Sequence, residues 1–241
     1  MTPQTRMFHK IVQQLEDEFR VQFLGKPTAE TQSLQDRIRR SLSWLARADR
    51  VPEEDKPPRF VDLWIGLNAL YGCPPYRKEY ARTSQKTNYE KEQFESFMEK
   101  LIQLHSAKET LCRLMKKRHI ENHTCNLIQE KHLWNECWDR NFAVYEDKCR
   151  VEINKIQRAL RHDDAVTFFT CLFGRLQVLR NQIFHGSSSA TTRRSRGTLY
   201  PAILLLEEIL PEFIQLMMHE GPETGWPPIP YPGSESPQYP M

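Results

Sequence analysis

Apolar residues recur at three- and four-residue spacings along most of the chain, the period of a helix that buries one face. This pattern predicts a first helix over residues 7–24 and a second from Thr28 or Thr31 to about Arg47. Residues 60–72 are apolar nearly all round, so this third helix is expected to lie deep in the core. No strand-like alternation extends beyond a few residues, and the fold class predicted is all-α.

The later part of the chain is predicted to be helical as well. Residues 89–161 show the helical period and are expected to form three or four helices. His162-Asp163-Asp164 then interrupts the pattern and offers an N-cap to a helix over residues 165–186, which its terminal glycine stops. A last helix over residues 199–218 contains Pro211, which is expected to kink or split it. Loops are predicted at residues 51–58, 73–88 and 187–197.

At 241 residues the chain is long enough for one large domain or two small ones. The architecture we expect is a single-domain helical bundle with additional N-terminal and middle helices. Residues 1–50 supply N-terminal helices that pack on the bundle, and residues 51–219 form its helical core. Residues 220–241 are rich in proline and contain Trp226 and Tyr231. That composition suits either an extended strap over the surface or a partly disordered tail.

The composition is that of an ordinary folded protein, with 39% hydrophobic and 27% charged residues. No apolar run approaches the length of a membrane span. The first residues lead into an amphipathic pattern and lack the features of a signal peptide. We therefore expect a cytoplasmic protein with no membrane partner.

The net charge of +3 does not by itself indicate a nucleic-acid partner, so local basic clusters carry more information. Most runs of this kind form a solvated helix face. The run Arg193-Arg194-Arg196 is nevertheless a candidate RNA contact, because it lies in the predicted loop directly after His185. The other two basic runs are Arg37-Arg39-Arg40 and Lys116-Lys117-Arg118.

Histidines and cysteines in the middle of the chain raise the hypothesis of a zinc site, since two histidines four apart can share a helix face. The cysteine spacing fits no standard zinc finger, and the chain has no Cys-x-x-Cys pair. A polar helix surface is the favoured interpretation, and neither a metal nor another cofactor is expected. The residues concerned are His119, His123, Cys125, His132 and Cys137.

The helix over residues 165–186 carries three polar side chains outside its apolar stripe: Arg180, Asn181 and His185. Asn181 and His185 are four residues apart and share a face. A guanidinium presents a planar fork of donors that suits phosphate oxygens, and an imidazole can move a proton near neutral pH. Together they can act on a phosphodiester. The alternative is that Arg180 and Asn181 cap the helix or meet a carboxylate, and that His185 is a structural polar group.

Three segments of the chain resemble a known superfamily. The spacing Arg180-Asn181-x-x-x-His185 near the end of an apolar helix resembles the Arg-x4-His signature of the HEPN superfamily. The stretch from Phe60 to Gly72 is similar to the earlier core helix of the bacterial Apea-like HEPN group. The endings around Gly225-Trp226-Pro227 and Tyr231-Pro232 are similar as well, so the resemblance covers roughly residues 30–235. It implies a helical bundle of HEPN type.

The resemblance also implies an activity, that of a metal-independent endoribonuclease. RNA would be cleaved by attack of the 2′-hydroxyl on the adjacent phosphate, which leaves a 2′,3′-cyclic phosphate. In this interpretation His185 moves the proton, Arg180 grips the phosphate, and Asn181 orients one or the other. Asn68 and Trp64, from the earlier core helix, are candidates to support the pair. Asn68 has a second interpretation, as a buried amide bonded to a neighbouring helix.

Family members of this kind act as dimers that bring two signature helices together. The partners implied are therefore RNA, a second copy of this chain, and an antitoxin or regulatory protein in a toxin or host-defence setting. The alternative function is a catalytically inactive HEPN-like module for dimerisation or RNA binding. One toxin branch carries a modified tyrosine two residues after the histidine, where this chain has Ser187, so membership of that branch is not expected.

Overall fold

A computed structural model describes residues 3–23, 31–72, 89–185, 193–227 and 229. The backbone in these ranges is helical, with no strand among them. A 3₁₀ turn, Lys131–Leu133, follows the sixth helix, and a second one, Gly221–Glu223, follows the last. The α-helices of the described ranges are α1 (Pro3–Phe23), α2 (Gln32–Arg50), α3 (Lys56–Tyr71), α4 (Tyr89–Leu101), α5 (Ala107–Met115), α6 (Arg118–Gln129), α7 (Asn135–Trp138), α8 (Phe142–His162), α9 (Ala165–Phe184) and α10 (Arg193–Glu220).

The all-α prediction is confirmed for the described residues, with differences at several helix ends. Helix α3 begins at Lys56, inside the predicted loop 51–58, because Pro57 and Pro58 lie in its first turn, where no amide hydrogen is needed. Helix α10 begins at Arg193, inside the predicted loop 187–197, and continues unbroken through Pro211. The predicted split at Pro211 is therefore wrong. Five α-helices, α4 to α8, replace the three or four expected.

A two-residue reversal separates α8 from α9, and it is the one predicted from the acidic pair. Asp163 adopts the left-handed conformation, with φ of 57°, and ends α8. Asp164 is the N-cap of α9, and its carboxylate accepts hydrogen bonds from the Thr167 backbone N at 3.0 Å and hydroxyl at 2.6 Å. The start of α9 is thus fixed by the contacts between Asp164 and Thr167.

Aromatic rings lock α9 against α3 and α4. Phe173 of α9 stacks on Phe94 of α4, with ring centroids 4.2 Å apart and planes 6° from parallel. Trp64 of α3 lies on another side of Phe173 at 5.2 Å, and Tyr71 meets the same ring edge-on at 5.2 Å. These contacts bury large apolar surfaces and set how closely the middle of α9 approaches α3 and α4.

Arg37 is buried, which corrects the expectation that its basic run forms a solvated face. Its side chain is 1% exposed and donates hydrogen bonds to the carbonyl oxygens of Leu70 at 2.7 Å, Gly72 at 2.8 Å and Pro227 at 2.8 Å. Two of these carbonyls lie at the C-terminal end of α3, where helix carbonyls lack intrahelical partners. Arg37 therefore joins α2, the end of α3 and the segment after α10.

The described part of the C-terminal segment packs on the bundle, in agreement with one of the two expectations for it. Trp226 is 8% exposed, and its indole N–H donates to the Gly221 carbonyl at 3.0 Å. Its ring lies 6.0 Å from that of Phe97 in α4, and Ile229 is buried. Residues 230–241, with Tyr231-Pro232, lie outside the described residues. The division at residues 50 and 220 stays a prediction, although α1 and α2 pack against α3 and α10.

A buried ion pair joins α3 to α10. Arg59, 3% exposed, donates from Nε to the Glu207 carboxylate at 2.6 Å and from Nη1 to the Ala48 carbonyl at 3.1 Å. Burial raises the pKa of the Glu207 carboxyl, and the Arg59 charge opposes that rise.

None of the helices in the described ranges is long and apolar enough to cross a membrane.

The substitution Arg59→Met is expected to lower the free energy of unfolding by about 3–5 kcal/mol, because it leaves the Glu207 carboxylate buried without its cation. The pKa of that carboxyl then rises further in the folded state, so the stability of the variant falls as pH rises. Urea unfolding at pH 5 and pH 8 measures both effects, with Arg50→Met at an exposed arginine as control. Adding Glu207→Leu should restore most of the stability, and a destabilisation that does not depend on pH would contradict this assignment.

Candidate functional site

Arg180 lies in the last turns of α9 and is held by a carboxylate from α4. Its Nη2 atom donates to both oxygens of Glu90, with the contact to Oε1 at 2.5 Å. The guanidinium carbon lies 5.2 Å from the centroid of the Trp64 ring, in a cation–π arrangement. The side chain is 23% exposed. Trp64, a candidate support, therefore contacts Arg180 directly, and Arg180 meets a carboxylate, as the alternative interpretation expected.

Glu90 is the acceptor at the centre of this group. The Tyr71 hydroxyl donates to Oε1 at 3.0 Å, and the Gln177 amide donates to Oε2 at 2.8 Å. Burial and the charge of Glu90 raise the pKa of Tyr71 far above its usual range, so the phenol remains a donor. Donors from α3 and α9 thus meet one carboxylate of α4.

The sequence analysis did not single out Glu90. It is one of two acidic residues in the first turn of α4, where such residues are common because they complement the helix dipole. The distant Tyr71 and Gln177 that bind it share no spacing with it along the chain. No local signal separates Glu90 from its neighbour Glu92.

Part of the Arg180 guanidinium remains available for another ligand. Its Nε atom is buried and has no hydrogen-bond partner within the described part of the chain. Among the same residues, Glu90 is the acceptor that the side chain meets, and it binds Nη2. Glu90 therefore fixes the orientation of the guanidinium while Nη1 stays uncommitted.

His185 follows the last residue of α9 and occupies the C-cap position, not the last turn. Its backbone N donates to the Asn181 carbonyl at 2.9 Å. The imidazole is exposed and makes no hydrogen bond or ion pair with any described residue. Asn181 is half-buried, and Phe184, directly before His185, is 58% exposed. The end of α9 therefore offers an imidazole and an aromatic ring to solvent.

The structure does not bring Arg180 and His185 into contact within one chain. Five residues turn a helix by about 140°, so the two side chains leave α9 in different directions. Arg180 points to α3 and α4, where Trp64 and Glu90 hold it. Asn181 lies about 100° round the helix from Arg180, and His185 follows the helix as its C-cap, so a face shared by Asn181 and His185 stays a prediction.

Asn68 is exposed, which corrects the expectation that it is a buried amide. It lies on the outer side of α3 near its C-terminal end, together with the half-buried Ile65. Its side chain makes no hydrogen bond within the described residues. No such contact therefore supports either expected role, that of supporting Arg180 and His185 or that of bonding a neighbouring helix. The run of apolar residues around it concealed that α3 has an outward face.

Several residues of the predicted site lie outside the described residues. The backbones of Arg193, Arg194 and Arg196 belong to the first turn of α10, but their side chains are not described. Residues 186–192, which include Gly186 and Ser187, lie wholly outside the described residues, and so do residues 73–88. The expected RNA contact by the arginine run stays a prediction.

The histidines of the zinc hypothesis have other surroundings. His119 contacts the Glu208 carboxylate through Nε2, and Lys117 binds its other oxygen at 2.6 Å. Burial and the neighbouring His119 lower the pKa of His123. Among the described residues, no group of three or more His, Cys, Asp and Glu side chains is arranged to hold a metal ion. The described cysteines are free thiols.

Comparison with known proteins adds no relative. The chain matches no protein-family model, no curated protein and no solved structure. The HEPN interpretation therefore remains a resemblance in sequence, carried by the spacing of Arg180 and His185 and by the stretch from Phe60 to Gly72.

The substitution Glu90→Ala is expected to lower the free energy of unfolding by about 1–3 kcal/mol, because the hydroxyl of the buried Tyr71 loses this acceptor. Glu92→Ala removes an exposed carboxylate two residues away in the same helix and should have little effect. Chemical unfolding of both variants measures the difference. Equal stability of the two variants would show that the Glu90 group does not hold α4 to α9.

Proposed function

We propose that this chain is a metal-independent endoribonuclease of HEPN type that works as a homodimer. The observation that carries the proposal is the exposed His185 imidazole at the end of α9, five residues after a guanidinium that Glu90 holds in one orientation. An imidazole without an internal partner is free to exchange protons with a substrate. A held guanidinium with an uncommitted nitrogen can stabilise charge on a phosphate oxygen.

The reaction assigns one proton transfer to each imidazole of the dimer. His185 of one copy takes the proton from the ribose 2′-hydroxyl, whose oxygen forms a bond to the adjacent phosphorus. The bond from phosphorus to the 5′-oxygen of the next nucleotide breaks. The protonated His185 of the second copy gives its proton to that oxygen. The products are a 2′,3′-cyclic phosphate and a free 5′-hydroxyl, and Arg180 offsets the charge that develops on the phosphate.

The geometry of a single chain explains why two copies are proposed. One copy supplies one imidazole for two proton transfers, and its Arg180 leaves α9 about 140° away from His185. Two copies related by a two-fold axis at the end of α9 supply both groups twice. Phe184, 58% exposed beside His185, is the apolar side chain that we place in this interface.

The second candidate function is a non-catalytic dimerisation or RNA-binding module. The Arg180–Glu90 ion pair favours it, because the carboxylate neutralises the cation that a phosphate would meet. In either case an antitoxin or regulatory protein that covers this end of α9, in a toxin or host-defence setting, remains part of the proposal. Activity in the presence of a chelator separates the two functions.

The full chain is expected to cleave single-stranded RNA in excess EDTA and to leave 2′,3′-cyclic phosphate ends, which mass spectrometry detects. His185→Ala and Arg180→Ala should each lower the rate by about 10²-fold or more. His162→Ala is the control, since His162 is also an exposed histidine at the end of a helix. RNA that stays intact with EDTA and with added Mg²⁺ supports the non-catalytic module. Cleavage only with Mg²⁺ contradicts the proposed mechanism.

The substitution Phe184→Glu is expected to convert the dimer into a monomer, because it places charge in the proposed apolar contact. Val21→Glu is the matched control at an apolar residue of α1 that is 82% exposed. Light scattering coupled to size-exclusion chromatography measures the molar mass of each variant. A wild-type chain that is monomeric at all concentrations, with or without RNA, rules out the composite site.

A further inference from the structure

A second group of cations lies away from the proposed catalytic end of α9. Helices α4, α8 and the first half of α9 surround a cleft of about 350 Å³. Lys91 of α4 and Lys155 and Arg158 of α8 line it, together with the carboxylates of Glu95 and Asp164. None of the three cations forms an ion pair or a side-chain hydrogen bond within the described part of the chain.

Two other cations at helix junctions differ from this group because each has an acidic partner. Lys117 binds Glu208, and Arg180 binds Glu90. Glu152, one helical turn before Lys155, binds Arg175 at 3.5 Å instead. Lys91, Lys155 and Arg158 therefore have no ion-pair partner among the described residues.

The two carboxylates of the cleft differ in what they can oppose. Asp164 is committed to capping α9, where both of its oxygens accept hydrogen bonds from Thr167. Glu95 is exposed and has no ion-pair partner among the described residues. Three cations against these two carboxylates leave the cleft net positive by one charge.

A buried hydroxyl on the cleft wall also lacks a partner. Thr170 is 5% exposed, and its Oγ1 atom makes no hydrogen bond within the described residues. A buried hydroxyl without a partner is unfavourable in a folded protein. The Oγ1 atom is itself inaccessible to solvent, so a ligand oxygen in the cleft reaches it when the Thr170 side chain rotates towards the cleft. The cations and this hydroxyl together present donors, which is the chemistry that binds a phosphate group.

One face of α9 connects the cleft with His185. Thr170, Gly174, Asn181 and His185 lie within about 60° of one another around the helix axis. A Cβ atom placed on Gly174 would meet nothing within 4 Å among the described residues, so this face is open one helical turn beyond Thr170. Fifteen residues of helix place Thr170 about 22 Å from His185. A strand that follows α9 therefore reaches both places.

We infer that the cleft between α4, α8 and α9 binds a backbone phosphate of single-stranded RNA, about 22 Å along α9 from the phosphate that His185 acts on. The identity of the ligand as RNA rests on the proposed function. Lys91, Lys155 and Arg158 attract the phosphate without regard to base sequence, and Thr170 donates a hydrogen bond to it. The cleft thus sets the path of the strand and lengthens the RNA that the enzyme recognises.

The test measures binding of a fluorescent 2′-O-methyl oligouridine dodecamer, which cannot be cleaved because its nucleophile is blocked. Lys155→Glu combined with Arg158→Glu should weaken binding at least 10-fold at low salt. The slope of log affinity against log salt should fall by about 0.7, because the cleft holds one phosphate and each neutralised phosphate of a single strand contributes about 0.7. Arg150→Glu combined with Arg161→Glu reverses the same charge on another side of α8 and should change binding less than 3-fold. Thr170→Val should weaken binding without changing the slope.

Equal binding by the cleft variant and its control overturns the inference. Inorganic phosphate or AMP that binds the cleft as tightly as the dodecamer also overturns it, because the site would then serve a small phosphate. Weaker dodecamer binding in the cleft variant alone supports it. If the wild-type protein binds the dodecamer through the cleft but leaves cleavable RNA intact in EDTA, the proposed nuclease function fails and the cleft assignment stands.

Discussion

The Glu90 carboxylate is the group on which the candidate site depends. It accepts hydrogen bonds from Tyr71 of α3 and from Gln177 and Arg180 of α9, so one acidic group joins three helices. Beneath it, stacked aromatic rings around Phe173 set how closely α3, α4 and α9 approach. A guanidinium on a long flexible side chain adopts one orientation here because its partner is itself held by two further donors. Pre-organisation of this kind is what a phosphate-binding group needs.

The two candidate catalytic side chains of α9 have different surroundings. Arg180 is held inside one chain, whereas His185 is exposed and makes no contact of its side chain with another described polar group. A site with one fixed and one free component is incomplete alone, which is why the proposed nuclease is a dimer. The cleft near the start of α9 carries cations that have no ion-pair partner among the described residues. An RNA strand lying along α9 would therefore meet positive charge at both ends of the helix.

Buried charges elsewhere hold the frame that carries α9. Arg37 binds three carbonyl oxygens and so ties α2 to the end of α3 and to the segment around Trp226. Arg59 and Glu207 join α3 to α10. Removing one partner from either set of contacts would lower the free energy of unfolding, because the remaining polar group would stay buried. The main role of these contacts is therefore to specify which helices pack together.

Sequence alone determined the features that depend on neighbours within a few residues. The helical period and the cap at Asp164 are local, and both are present as predicted. The tertiary structure decided what depends on distant partners: that Arg37 is buried, that Asn68 is exposed, that Glu90 holds Arg180 and that Lys155 faces an open cleft. Local spacing specifies which side of a helix a residue occupies, but only the packing of helices far apart in the chain decides what that side meets.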